Sequence, residues 1–387
     1  MNRVCIPDEE YAARIKRAAK LASERGLDVL VVVGTESDYA NPRYFSGFWP
    51  LFERCGVAIS ASGNAALMVG PESRIFAQDV AKIEKVFVLK EFRESADPSY
   101  PELKADTFRD VFRAIGVAGD KIRIGLGSYL DFTLPIVDGL KDNYPQADVS
   151  VCADIMVSLR KIKSANEIAC LKEALRITEI ATSEVIRHLH PGATELEMVG
   201  IAQKAIYENG AEYEGLPMYV FSEKSTRHAI SRSGYRKICE GDIVQLNLSA
   251  KVDGYSPSIG LPVSIGKISP EKRRFVEFGL EAHRWTQDKL KAGVIASDIA
   301  KEFYRMYEER GMSDYYIYGP CHGMGMIEVE APWMETDSDY PLEENMVFNI
   351  DTFVSAPSFG VRWEKGAVIK KDGCELLSDY LKGIVEV

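Results

Sequence analysis

Apolar residues follow two different periods along this chain, and the change of period marks its organisation. Residues 11–25 place apolar side chains at three- and four-residue spacing and end at Gly26, which predicts an amphipathic helix. Residues 29–33, Val-Leu-Val-Val-Val, are apolar throughout and too short for a helix, the pattern of a strand buried on both faces. Similar strand-like runs fall at 57–59, 65–69 and 122–125, with a helical stretch at 108–115 among them. Helices alternating with short apolar strands predict a small α/β domain. The basic connector 157–164, Val-Ser-Leu-Arg-Lys-Ile-Lys-Ser, breaks this pattern. Beyond it Ile168, Leu171, Leu175, Thr178, Val185 and Leu189 mark one face of a long helix that Pro191-Gly192 stops. The domain boundary is placed there, giving segments 1–158 and 159–387.

The second segment repeats itself. Residues 192–210 resemble residues 293–311, each stretch following a long helical pattern, bounded by glycines and preceding strand-rich sequence. Two copies roughly a hundred residues apart are too few and too long for a solenoid, so duplication within one α+β domain is the reading. Thr194 and Glu197 have the spacing of a capping box at the first copy.

Composition excludes several classes. Fifty-eight acidic against forty-seven basic residues give a net charge of -11, which opposes nonspecific attraction to nucleic acid or an anionic membrane. No apolar run approaches the length of a membrane span, and the first residues have no apolar leader pattern. Seven cysteines are scattered without CxxC pairing, as expected of reduced thiols in a cytoplasmic protein rather than a disulfide framework.

The motifs that carry chemistry lie in the second segment. They are the run ending in Asn247, the Ser-Pro-Ser258 turn after it, Cys321-His322-Gly323-Met324-Gly325, the segment from Glu344 to Asp351, and Gly360-Val-Arg362-Trp-Glu364. In this order they resemble the aminopeptidase P, methionine aminopeptidase and creatinase superfamily, and the likeness covers nearly the whole chain. The resemblance implies a creatinase-type α/β N-terminal domain followed by an α+β domain of the duplicated "pita-bread" fold. Peptidases of this kind hold two metals with Asp, Asp, His, Glu and Glu. Carried onto this chain, those positions are Asn247, Ser258, His322, Asp351 and Glu364, and the family's second histidine falls at Val329. An amide and a hydroxyl are neutral and remove two anionic ligands. The resulting expectation is no metal cofactor, with a weak single divalent ion on His322, Asp351 and Glu364 left open.

Within the superfamily the chain looks most like creatinase, which works without metal. Asn247 and Glu364 match that enzyme, a histidine lies upstream at His228, and Phe52-Glu-Arg54 resembles its Phe-Gly-Arg. There the Phe and Arg hold substrate, the Arg on its carboxylate, from the neighbouring subunit of a dimer, which makes a homodimer the expected assembly. The chain also departs from creatinase. Two extra residues separate His228 from Asn247, Gly260 stands where a guanidinium-binding glutamate is found, and Trp333 stands near where a second carboxylate-binding arginine is found. Creatine is therefore not the expected substrate.

Metal-free hydrolysis of a C–N bond needs a group to activate water and a donor for the leaving nitrogen. His228 is the candidate for proton transfer, with His322 and Glu364 positioning substrate and water. Phe52, Arg54, Asn247, Ser258, Asp351 and Arg362 are candidate substrate contacts, Arg362 equally a buried ion-pair partner of Glu364. Arg227 and Arg232 flank His228 in a polar stretch that reads either as an anionic-substrate loop or as a solvated turn. The expected activity is a creatinase-like, metal-independent hydrolase acting on a small carboxylate-bearing or zwitterionic molecule. The alternatives are a divergent metal-dependent Xaa-Pro dipeptidase or aminopeptidase, or a non-catalytic binding module on the same fold.

Overall fold

The computed structural model describes residues 3–94, 104–128, 130–380 and 383–387. The chain divides into two compact units, Ile6–Arg160 and a second built on Lys161–Val387.

In the first unit, helix α1 (Asp8–Glu24) starts before the apolar pattern does, because its first turn is the acidic Asp8-Glu9-Glu10 that complements the helix dipole. Strand β1 (Val29–Gly34) is wholly buried. It is followed by α2 (Ala40–Ser46), β2 (Cys55–Ser60), β3 (Ala65–Val69), α3 (Arg74–Val80), β4 (Val86–Val88), α4 (Phe108–Ala114), β5 (Arg123–Leu126), α5 (Leu134–Asn143), β6 (Asp148–Val151) and α6 (Ala153–Arg160). The sheet order is β4-β3-β2-β1-β5-β6, with β1 antiparallel to β2 and parallel to β5. Val29, Val31 and Val33 pack with Phe92, Phe108 and Phe112 in one core, while Leu30 and Val32 are equally buried on the other face. That two-sided burial is why the strand carries no polar alternation.

The second unit opens with α7 (Ala165–His188), whose N-terminus is closed by a reciprocal capping box between Ser164 and Glu167. The two similar sequence stretches form α8 (Glu195–Glu208) and α10 (Ala296–Glu309), and α9 (Pro270–Lys289) precedes the second as α7 precedes the first. Each is bracketed by glycines in the left-handed region, Gly192 and Gly210 at φ 97° and 95°, Gly293 and Gly311 at φ 87° and 63°. The Thr194/Glu197 capping box is formed.

The strands of this unit are β7 (Tyr213–Glu214), β8 (Tyr219–Ser222), β9 (Ile243–Leu248), β10 (Ala250–Lys251), β11 (Ile259–Ser264), β12 (Cys321–Gly323), β13 (Glu330–Met334), β14 (Val347–Ser355), β15 (Gly360–Lys370), β16 (Gly373–Leu376) and β17 (Val385–Glu386). The large sheet runs β13-β12-β14-β15-β11-β9-β8, with β16 added to β15 and β17 to β11. The antiparallel pair β9/β11 follows the first helix pair and β14/β15 the second, and the two halves join along β11 and β15.

That seam contains Pro262, which has no N–H for the ladder. Gln245 supplies the missing donor, its Nε2 donating to the Arg362 carbonyl at 3.0 Å, and its Oε1 accepts the Arg362 N–H at 2.7 Å. A side-chain amide thus stitches β9 to β15 and keeps buried backbone groups satisfied.

His283 on α9 is buried, its Nδ1 lacks a hydrogen-bond partner, and burial aided by Lys365 pushes its pKa down to about 3. The folded state keeps this imidazole neutral while the unfolded chain takes up a proton below the ordinary value of 6.5. Stability from this group is therefore present above pH 6.5 and is lost as pH falls toward 3. The slope is about 1.4 kcal/mol per pH unit at most. Urea unfolding of His283→Leu between pH 7 and pH 4.5 is expected to show a shallower loss than the parent protein. An unchanged pH slope would show that His283 is not responsible.

No described helix is long and apolar enough to cross a membrane.

Candidate active site

Cross-strand register brings the chemistry together. Asn247 on β9 faces Gly260 on β11, Gly260 faces Glu364 on β15, and Glu364 faces Asp351 on β14. Because strand side chains alternate faces, residues two positions away share the face: Arg362 beside Glu364, Asn349 beside Asp351, and Ser258 beside Gly260. His322 enters from β12 opposite Asn349. Gly260 makes the convergence possible, since a Cβ there would lie 2.7 Å from Nδ2 of Asn247 and 2.8 Å from Cβ of Glu364.

Asn247, His322, Asp351, Arg362 and Glu364 border a cavity of about 400 Å³. Four carboxylates line it, Glu328, Glu335, Asp351 and Glu364; Glu335 accepts the Gly319 N–H at 2.9 Å, and the other three surround Arg362 and His322. The Arg362 guanidinium lies 3.5 Å from Asp351 and 3.6 Å from Glu364 by its Nε, donates through Nη2 to the Ala229 carbonyl at 3.0 Å, and stands over the Phe353 ring. Burial works against this cation, but the Tyr318 phenol and the Asp351 and Glu364 carboxylates outweigh it and hold its pKa above the ordinary value. Burial pushes the Glu364 carboxyl well above the carboxylate range, the charges of Asp351 and Glu328 push it further, and Arg362 and Ser258 only partly oppose them.

Proton counting around Ser258 agrees with that direction. Its Oγ lies 2.7 Å from Glu328 Oε1, 2.9 Å from Glu364 Oε2 and 2.8 Å from the Asn349 amide nitrogen, which donates to it. A hydroxyl has one hydrogen and can serve only one of two carboxylates. The other short contact calls for a proton on the carboxyl, and Glu364 is the group whose acid form is favoured. The resulting chain has Glu364 donating to Ser258 and Ser258 donating to Glu328.

His322 Nδ1 lies 3.0 Å from the Gly323 carbonyl, a contact that places its proton on Nδ1 and turns Nε2 into the cavity. Nε2 stands 3.9 Å from Glu328 and 4.0 Å from Asp351, too far for direct hydrogen bonds and suited to a bridging water. Asp351 Oδ1 and Asn349 Oδ1 are buried acceptors without hydrogen-bond partners.

Of the candidates read from the sequence, His322, Glu364, Asp351, Asn247, Ser258 and Arg362 are brought together here. Asn247 is tied down by Gln245, whose Nε2 donates to its Oδ1 at 3.1 Å. Contrary to expectation, His228 does not face the cavity. The 3-10 turn Glu223–Arg227 ends at it, its backbone is extended, and its exposed ring meets Ser231 Oγ at 3.2 Å. Ala229 and Ile230 take the place on the wall instead. Arg227 donates to the Pro357 carbonyl and Arg232 is exposed, and neither lines the cavity. Arg362 is engaged with carboxylates and is not offered to an anionic ligand. Phe52 and Arg54 border a separate depression of about 760 Å³ within the first unit, Phe52 at φ 58° and 78% exposed. Glu328 is a site residue that the sequence reading missed. It sits in the irregular stretch after the bulge at His322/Gly323, where no strand period marks its direction.

Residues 169–371 match the model of metallopeptidase family M24, and residues 14–162 that of the creatinase/prolidase N-terminal domain. The Xaa-Pro dipeptidase of Pyrococcus furiosus is 24% identical over 366 residues, covering 94% of this chain and 97% of that protein. That of Pyrococcus horikoshii is 23% identical over 368 residues, covering 94% and 96%. Among solved structures, the X-Pro aminopeptidase of Thermotoga maritima superposes with a TM-score of 0.83 at 24% identity, covering 96% of this chain and 99% of that one.

The family match corrects the expectation of no cofactor, because M24 is a metallopeptidase family. The donor set of this chain nevertheless does not fit a pair of ions. Asn247 and Ser258 are neutral, the Ser258 hydroxyl is engaged with Glu328 and Glu364, the acid form of Glu364 is favoured, and the Arg362 guanidinium lies 3.5 Å from Asp351. Among the described residues no group of three or more His, Cys, Asp or Glu is assembled to hold a metal. Matching the family model over more than half its length, and carrying the superfamily's α/β N-terminal domain before its pita-bread domain, the chain belongs to metallopeptidase family M24.

Proposed function

We propose that this chain is a peptidase that hydrolyses the C–N bond of short peptides in the cavity bordered by β9, β12, β14 and β15. The observation that carries the reading is the convergence of Glu328, Asp351, Glu364 and His322 on one buried, hydrogen-bonded site. The relatives named Xaa-Pro dipeptidase, matched over almost their full length, support peptides over a creatine-like molecule.

In this reading a water held between His322 Nε2 and Asp351 attacks the carbonyl carbon. Glu364, whose acid form burial and the neighbouring carboxylates favour, donates its proton to the leaving nitrogen, as a general acid with a raised pKa is suited to do. His322 Nε2 takes the proton of the water as it attacks. After Glu364 has given its own proton to the nitrogen, the proton on His322 passes through a bridging water to Glu328, and Ser258 relays one from Glu328 to Glu364.

Release of free amino acids from a panel of Xaa-Pro and other dipeptides tests this. The purified protein is assayed with chelator and with Mn²⁺, Co²⁺ or Zn²⁺ added. Turnover that His322→Ala lowers by about 10²-fold or more is expected. No release from any dipeptide under any of these conditions would remove the peptidase reading.

A further inference from the structure

The floor and the mouth of the cavity differ in chemistry. The floor is acidic: Glu328, Asp351 and Glu364 gather around one guanidinium, which lies 3.5 Å from Asp351 Oδ1 and 3.6 Å from Glu364. At the mouth stand Tyr219, Ile230, Val329 and Trp333, the last three 86%, 46% and 47% exposed. The Trp333 ring is 6.4 Å from that of His322 and meets it edge to face, so the apolar wall reaches the reacting group. Its carbonyl is pinned by Ser338 Oγ at 2.9 Å and Tyr340 Oη at 2.7 Å, which holds the backbone of that wall in place. Among the described residues lining the cavity, Arg362 is the one cation, and it is already engaged.

A peptide's ammonium end matches the acidic floor, where carboxylates outnumber the single guanidinium. The opposite end then meets the mouth, where apolar surface rewards an apolar side chain and no cation awaits a carboxylate. Resting on the peptidase reading above, we infer that the cavity selects an apolar residue on the carboxyl side of the scissile bond and does not read a free C-terminal carboxylate. Peptides that are amidated or longer than two residues are then substrates as good as the free dipeptide.

Three peptides test this: alanyl-phenylalanine, its C-terminal amide, and alanyl-aspartate. For the parent protein, kcat/KM for the free dipeptide and its amide is expected to agree within about threefold, with alanyl-aspartate at least about tenfold poorer. Trp333→Ala narrows the gap between phenylalanine and aspartate by about tenfold. The inference is overturned if the amide is poorer by about thirtyfold or more, the size of effect a lost charge-assisted contact gives. It is equally overturned if alanyl-aspartate matches alanyl-phenylalanine. Calorimetric titration of the Glu364→Gln protein with the same peptides makes the comparison without turnover. Absent hydrolysis with the expected order of binding then counts against the peptidase reading alone, whereas a binding order led by carboxylate counts against this one.

Discussion

Glu364→Gln is expected to lower turnover by about 10²–10⁴-fold and, in the same protein, to raise the unfolding midpoint at pH 8. Both effects follow from one cause. The folded chain favours the acid form of Glu364 because burial and the charges of Asp351 and Glu328 oppose ionisation. In the unfolded chain the group ionises near its ordinary value of 4.5. Between that value and the raised folded one, the folded state binds more protons than the unfolded state. Stability is therefore full below pH 4.5 and declines as pH rises. Glutamine keeps the shape and a hydrogen bond to Ser258 while removing the ionisation, so the decline is relieved as the proton donor is lost. Activity and thermal denaturation measured from pH 5 to pH 9 check the two together. A variant that loses activity yet keeps the parental pH slope of stability would show that Glu364 is ionised in the folded state.

The second large effect concerns the two neutral positions. In the double variant Asn247→Asp with Ser258→Asp, five carboxylates crowd one buried site beside a single guanidinium. Like charges at low dielectric repel strongly, so the unfolding midpoint measured with chelator is expected to fall well below that of the parent. Added Mn²⁺ should restore it, because an ion that binds only the folded state stabilises by RT ln(1 + [L]/Kd), about 2.7 kcal/mol at a hundredfold excess over Kd. The parent protein, whose Ser258 hydroxyl bridges Glu328 and Glu364, is expected to respond to Mn²⁺ far less. Equal metal responses in the two proteins would mean that these positions do not govern cation affinity.

Several features of the fold were readable along the chain for reasons that are local. The all-apolar run in β1 is a strand because its burial on both faces removes the need for polar alternation. The stretches that became α8 and α10 were recognisable as a pair because their bounding glycines carry a left-handed backbone that other residues adopt at a cost. The start of α1 was misplaced by one turn, since an acidic first turn carries no apolar signal. Creatinase-like, metal-free catalysis through His228 was the less durable expectation. It depended on which way one exposed loop residue points, and the end of a 3-10 turn decided that.

By itself the sequence determined the period of α1, β1, β3 and α7, the duplicated plan of the second unit, and the neutral character of positions 247 and 258. These are properties of residue type and spacing, and no folding partner is needed to read them. Only the tertiary structure decided that Asn247, Gly260, Glu364 and Asp351 lie in one row across four strands, that Gln245 makes the donation Pro262 cannot, and that Glu328 joins the site. Strand register links residues more than a hundred positions apart, and the protonation of a buried carboxyl depends on the charges that register places beside it.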